Sequence, residues 1–283
     1  MNELTELESA DDYCRRLSRR HYENFTVVSR FVSSDVALDL ARIYAYCRTT
    51  DDLGDESGAD ALERLAAWRS EVESLFAGRL PIHPVLLAVR ETVQRRAIAA
   101  QPFLDLIQAN VQDQSVARYE SWPELHGYCM LSAAPVGRMV LAVFGVSGRR
   151  AQDLSDDVCV GLQLANHAQD VSRDAHRGRC YLLQSDVRSG DVTGGVRALC
   201  VRARDLLRSG IELETLAPPA LRAQLALYRL GGGAVLDAIE RTGYRTDVTR
   251  PVVTPVAKAL LLGRALVAGL RPHRHAATTL EPV

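Results

Sequence analysis

Apolar residues recur at intervals of three and four along almost the whole chain, as in Val36, Leu38, Leu40, Ile43, Tyr44 and Cys47, while alternating runs of Val, Ile and Thr are scarce. A period near 3.6 gathers such residues on one face of a helix, whereas a half-buried strand needs a period of two. The spacing therefore predicts an all-α fold, with helices over 10–20, 33–52, 59–77, 83–99, 101–112, 121–145, 150–174, 196–211, 217–242 and 253–270. Turns are expected at Pro81 and Pro84, Trp122-Pro123, Gly145 to Gly148, Gly190 with Gly194-Gly195, and Pro218-Pro219. No shift in composition and no fixed repeat divides the 283 residues. Residues 1–283 are accordingly read as one domain with an ordered core over about 11–270.

With 34 basic and 35 acidic residues the net charge is -1, so nothing draws the chain as a whole to nucleic acid, and an anionic ligand must be met by a local site. Lys258 is the only lysine. The six cysteines, Cys14, Cys47, Cys129, Cys159, Cys180 and Cys200, are scattered singly. That pattern suggests neither a zinc site nor a disulfide framework, and a reducing cytoplasm is expected. The first residues are acidic rather than a basic stretch followed by an apolar one, so no secretory leader is expected. Val252 to Leu270 is interrupted by Pro255, Lys258 and Arg264. It is read as a core helix rather than a membrane span, with peripheral membrane contact left open.

Two acidic segments carry the chemistry. In Arg48-Thr49-Thr50-Asp51-Asp52-Leu53-Gly54-Asp55, the carboxylates of Asp51 and Asp55 are four apart and lie on one helix face. An isolated pair of this kind is ordinarily a solvated helix end. A second segment, however, places Gln163, Asn166, Asp170 and Asp174 at steps of three, four and four. Facing each other across a bundle, the two would hold hard divalent cations such as Mg²⁺, which keep waters and bind phosphate oxygens. Arg48 precedes the first acids, and Arg177 and Arg179 follow the second. A guanidinium grips two phosphate oxygens at once. The arrangement reads as a site where a diphosphate leaves and a carbocation is passed to an acceptor while water is kept out.

These segments resemble the Y-x-x-x-R-x-x-D-D-x-x-D and Q-x-x-N-x-x-x-D-x-x-x-D motifs of the squalene/phytoene synthase family. Tyr44, Arg48, Asp51, Asp52 and Asp55 match the first, and Gln163, Asn166, Asp170 and Asp174 the second. Arg177-Gly178-Arg179-Cys180-Tyr181 looks like the family's R-G-R-x-Y, and the likeness extends to His21 through Phe25, Tyr128-Cys129, Pro135 through Gly137, and Tyr228 through Tyr244. The resemblance implies a helical isoprenoid-synthase bundle with a central cavity and three Mg²⁺ ions bound with a prenyl diphosphate (dimethylallyl, geranyl or farnesyl). It implies metal ligation by Asp51, Asp52, Asp55, Asn166, Asp170 and Asp174. It also implies substrate contacts from Tyr22, Tyr44, Arg48, Tyr128, Gln163, Arg177, Arg179, Tyr181 and Tyr228. The tyrosine rings suit cationic character, although each equally suits core packing.

The chain is most similar to the hydroxysqualene synthase branch but departs from it. Ser132-Ala133-Ala134-Pro135 stands where that branch has S-A-N-P, Asn166-His167-Ala168-Gln169-Asp170 where it has N-F-W-Q-D, and Met130 and Leu131 replace basic residues. The ionising half is kept and the acceptor half altered. An aromatic, carbazole-like acceptor is therefore expected, with His167 as a candidate base and Ala168 leaving room for a ring. Two other readings stand beside it: conversion of presqualene diphosphate or tail-to-tail coupling, and a non-catalytic assembly partner. Gly231-Gly232-Gly233 has no phosphate-loop context and is expected to bend a helix or admit a neighbour closely.

Overall fold

Ser33 opens the helix that carries the first acidic segment: its hydroxyl accepts the Val36 N–H at 3.4 Å, satisfying one of the free amides of the first turn. The computed structural model describes residues 3–21 and 32–270. In chain order the helices are α1 (Glu3–His21), α2 (Ser34–Asp55), α3 (Ala61–Phe76), α4 (Pro84–Arg96) and α5 (Gln101–Gln112), then α6 (Trp122–Ser132) and α7 (Ala134–Val143). They continue with α8 (Arg149–Gln169), α9 (Val171–His176), α10 (Gln184–Arg188), α11 (Val192–Leu216), α12 (Pro219–Arg241) and α13 (Pro255–Gly269). The expected all-α architecture is found.

Two expected helices are each divided. The span 121–145 breaks at Ala133, where φ is -119°, because Pro135 has no N–H to continue the ladder and its ring crowds the preceding turn. The span 150–174 breaks at Asp170, whose ψ is 17°. The break is slight, since the Asp174 N–H still reaches the Asp170 carbonyl at 2.8 Å. A small parallel pairing that periodicity did not announce joins β1 (Arg118–Tyr119) to β2 (Cys180–Leu183). It fixes the stretch after the second acidic segment against the bundle, with the Cys180 N–H on the Ala117 carbonyl at 2.8 Å.

The core lies in two main clusters. One is built by α1 to α5 with α7 and includes Tyr46, Leu65, Leu86 and Phe103; the other is built largely by α8, α11 and α12 and includes Leu164, Leu199 and Leu213. Charge orients α2 within the first. Asp39, fully buried, accepts from Thr92 at 2.7 Å and from Arg96 at 2.8 Å, while Arg42 grips Asp11 of α1 through two nitrogens. Removing one partner of such a buried set costs about 3–5 kcal/mol. Gly232 does admit its neighbours: a Cβ there would fall 2.8 Å from Leu162 and 3.0 Å from Leu207.

The helix expected over 253–270 is only partly a core helix. Ala265, Ala268 and Gly269 of α13 are buried, but Val256, Leu260 and Val267 are exposed. Among the described residues no helix is long and apolar enough to cross a membrane.

Candidate active site

Where the two clusters meet, α2, α5, α6 and α8 enclose a cavity of about 440 Å³. Asp51 and Asp55 line it from α2, and Gln163, Asn166 and His167 line it from α8. Asp170, Asp174, Arg179 and Tyr181 enter from the segment that follows, and Tyr128 and Ser132 from α6. Both acidic segments therefore open on one space.

Gly178 has φ +76°, a left-handed turn that a side chain would strain. This turn and the β1–β2 pairing carry Arg179 to the cavity, where its Nη2 donates to Asp55 Oδ1 at 3.2 Å. Its Nη1 lies 4.0 Å from Asp113 Oδ2. Asp113 and Asn110 were not singled out from sequence. Tyr128 donates its phenol to Asp113 at 2.9 Å, and Asn110 Nδ2 donates to Asp51 at 3.3 Å. The available signal was an N-x-x-D pair at helical spacing on the otherwise apolar face of α5.

Gly54 makes the Asn110 contact feasible, since a Cβ at that position would lie 2.3 Å from Asn110 Oδ1. Arg250, also missed, meets Asp170 through Nε, and its Nη2 donates to Gln169 Oε1 at 3.2 Å.

Several expected residues stand elsewhere. Arg48 is paired with Asp52 and lies 3.4 Å from Glu56, so neither Arg48 nor Asp52 is on the cavity wall. The α2 helix turns Asp52 about 100° away from Asp51, which explains why the adjacent acid is lost to the site. Arg177 is exposed on the surface. Tyr44 is half-buried in α2 and is not a lining residue, while Tyr228 lines a second cavity beside α12 and accepts from Gln224 at 2.6 Å. Tyr22 lies outside the described residues.

The altered acceptor positions also separate. Ala134 and Ala168 are fully buried and do not line the cavity, and Met130 and Leu131 pack against the second core cluster. The room expected at position 168 is occupied by core. Only His167 brings its change to the cavity. Its ring stacks on Tyr181 with centroids 3.7 Å apart, and Tyr181 stacks in turn on Tyr128 at 5.6 Å. Burial pulls its pKa down to about 3. A neutral imidazole of this kind offers a hydrogen bond, and its lowered pKa argues against the proton-acceptor role expected from sequence, because a base works best near the ambient pH. Its Nε2 and the Ser132 hydroxyl are both buried without a partner among the described residues.

The electrostatics of the cleft fit divalent cations. Burial pushes the Asp51 carboxyl up to about 6, opposed by the Asn110 hydrogen bond and assisted by the charge of Asp55. Asp113 and Asp174 are likewise pushed up to about 6 by burial, with Asp170 adding to the shift of Asp174. Arg179 opposes both shifts without cancelling them. Three carboxyls left short of counter-charge make a cation-seeking wall of hard oxygen donors. Among the described residues no three acidic, imidazole or thiol groups converge on one point. Any divalent cation held here would take only one or two of these carboxylates and complete its shell with water and phosphate oxygens.

Comparison with known proteins identifies the family. The squalene/phytoene synthase family model matches residues 18–257. Phytoene synthase from Arthrospira platensis is 32% identical, covering 89% of this chain and 92% of its own length, and phytoene synthase 3 from Zea mays is 32% identical over 93% of this chain and 67% of its own. Among solved structures, squalene synthase HpnC from Alicyclobacillus acidocaldarius has a TM-score of 0.79 at 40% identity, covering 86% of this chain and 99% of that one. A dehydrosqualene synthase, at 22% identity and TM-score 0.80 over 93% of this chain and 98% of that one, shares the fold. With its helical bundle and a cavity that unites both acidic segments, the chain belongs to the squalene/phytoene synthase family, whose members are prenyltransferases.

Proposed function

We propose that this protein ionises an allylic prenyl diphosphate and transfers the prenyl group, dimethylallyl, geranyl or farnesyl, to a carbon of a flat aromatic acceptor of carbazole type. Asp51, Asp55, Asp170 and Asp174, with Asn166, are assigned to hold Mg²⁺. When bound, the metal neutralises the diphosphate as it departs. Arg179, now turned to Asp55, exchanges carboxylate for phosphate oxygens. The allylic C–O bond breaks and its electron pair leaves with the diphosphate. Tyr128, on the cavity wall, offers its aromatic ring to the cation, and Tyr181 backs it in the stack. A ring carbon of the acceptor then forms the new C–C bond, and its proton passes to the released diphosphate, since His167 is too weak a base to hold it. The six cysteines are unpaired, which supports a reducing, cytoplasmic setting.

The observation that carries the acceptor reading is the unpartnered Nε2 of neutral His167 beside this cavity. A buried polar atom without a partner costs about 1–3 kcal/mol. A heteroaromatic N–H or O–H relieves that cost, whereas a second hydrocarbon chain does not. The 40% identity to squalene synthase HpnC favours a second reading, in which presqualene diphosphate is the substrate and a water is held at His167 and ends in hydroxysqualene.

Incubation with Mg²⁺ and either presqualene diphosphate, or short allylic diphosphates with an electron-rich carbazole, separates the two. Prenylated carbazole is the expected product. Hydroxysqualene from the first mixture with no prenylated ring from the second would overturn the aromatic reading.

A further inference from the structure

Several helical hydroxyls of this chain return to their own backbone. Ser18 donates to the Arg15 carbonyl at 3.0 Å, Thr50 to the Tyr46 carbonyl at 2.9 Å and Thr215 to the Glu212 carbonyl at 2.7 Å. Ser132, the last residue of α6, does not follow them. It lines the cavity that unites the acidic segments, and its Oγ is buried with no hydrogen-bond partner among the described residues.

A second such atom lines the same cavity from α8. His167 is 5% exposed, and its Nε2 is likewise buried without a partner among the described residues. Tyr128 and Ser132 are four apart and share one face of α6. The Tyr128 ring lies 6.2 Å from the His167 ring, centroid to centroid, so that face of α6 is turned to His167. Neighbouring polar groups are already engaged: Tyr128 donates to Asp113, Asn110 to Asp51 and Arg179 to Asp55. Asp113 Oδ1 is also unpartnered, but it belongs to a carboxylate whose other oxygen has Tyr128 and Arg179 beside it.

A group that answers both Ser132 Oγ and His167 Nε2 must donate and accept at once. The imidazole nitrogen is a donor or an acceptor according to its tautomer, and a serine hydroxyl can be either. A ring N–H of carbazole type only donates, since its lone pair belongs to the aromatic system, and it serves one of the two atoms. A hydroxyl oxygen donates to one and accepts from the other, whichever tautomer is present.

We infer that Ser132 is a specificity-determining residue and that, with His167, it selects an acceptor carrying a phenolic hydroxyl. This rests on the aromatic reading above and narrows it. The hydroxyl also suits the chemistry, because its oxygen feeds electron density to the ring carbons ortho and para to it, where an electrophile attacks. The new C–C bond forms at one of these carbons. The electron pair of the broken allylic C–O bond leaves with the diphosphate, which then takes the ring proton.

Isothermal titration calorimetry of the full chain with Mg²⁺ and inorganic pyrophosphate compares carbazole with a hydroxycarbazole, and product analysis with short allylic diphosphates follows the same pair. The hydroxylated ring is expected to bind about tenfold or more tightly, because the unhydroxylated one leaves a buried polar atom unanswered. Ser132→Ala, which removes a single oxygen, is expected to erase most of that preference while leaving carbazole affinity within about twofold. Equal affinity for the two rings in the parent enzyme, or a preference that survives Ser132→Ala, would overturn the proposal. If the rings bind equally and carbazole is prenylated, the aromatic reading stands and only this inference falls. If neither ring binds or reacts, both fall together.

Discussion

Arg179 donates through Nη2 to Asp55 at 3.2 Å, joining residues 124 positions apart and closing the two acidic segments over one cavity. The same guanidinium lies 4.0 Å from Asp113, so one cation serves both walls. A diphosphate with its metals competes for that guanidinium and for Asp55 together. Arg179→Ala is expected to lower kcat/KM for the prenyl diphosphate by roughly ten- to a hundredfold, the effect of about 1.5–3 kcal/mol in a charge-assisted contact. Steady-state kinetics check this. Arg48→Ala should have the smaller effect, because Arg48 is engaged with Asp52 and Glu56 outside the cavity.

The raised carboxyls predict how pH and metal act together. Asp51, Asp113 and Asp174 have folded-state values near 6, above the ordinary 3.8. Between those values the folded chain binds more protons than the unfolded one, so the stability these groups contribute falls as pH rises through the window. Above it all three are charged and short of counter-ions. Mg²⁺ should therefore raise Tm clearly at about pH 7.5 and little at about pH 5, where protons occupy the same oxygens. Scanning calorimetry at both pH values measures the difference, and equal shifts would contradict a site built on these acids.

Gly54 stands against Asn110 so closely that a methyl group would lie 2.3 Å from the amide oxygen. Gly54→Ala is expected to destabilise by about 1–3 kcal/mol through overpacking, despite the better helix propensity of Ala. It should also push Asn110 from Asp51, slowing turnover. Adding Asn110→Ala should restore Tm without restoring activity. Recovery of both would mean that Asn110 only fills space.

The fold was legible because periods of three and four repeat in nearly every segment, and the acids at i and i+4 were legible because helical geometry turns that spacing into a shared face. Asp52 and Arg48 were not separable from Asp51 by spacing alone, since which side of α2 meets the cavity depends on how buried Asp39 and Arg42 orient that helix against α1 and α4. Asp113 and Arg250 escaped for a related reason. Each lies outside the acidic segments and reaches the site only through tertiary packing. Ala168 misled because a smaller residue opens a cavity only where neighbours leave the space empty, and here it is fully buried. The outward face of α13 was hidden by the same ambiguity, as apolar content does not say which side is covered.

His167 bears the acceptor question, since of the altered positions Met130, Leu131, Ala134, His167 and Ala168 it is the one that lines the cavity. His167→Phe keeps a flat ring on Tyr181, so the stack of rings should persist, while the unpartnered Nε2 disappears. The sign of the stability effect follows from the lowered pKa. Below the ordinary 6.5 and down to about 3, only the unfolded chain takes up this proton. Acidification therefore costs the parent protein stability that the variant retains, by roughly 1.4 kcal/mol per pH unit in that window. Above pH 6.5 the variant should be equally or more stable. With a carbazole acceptor the variant should lose acceptor affinity, raising its KM several-fold, while the rate of diphosphate release in single turnovers changes little. With presqualene diphosphate the same variant should form less hydroxysqualene and more products of proton loss, because no polar atom then holds a water near the cation. A His167→Phe enzyme with unaltered KM for carbazole and reduced alcohol formation would assign His167 to water and the substrate to the presqualene class.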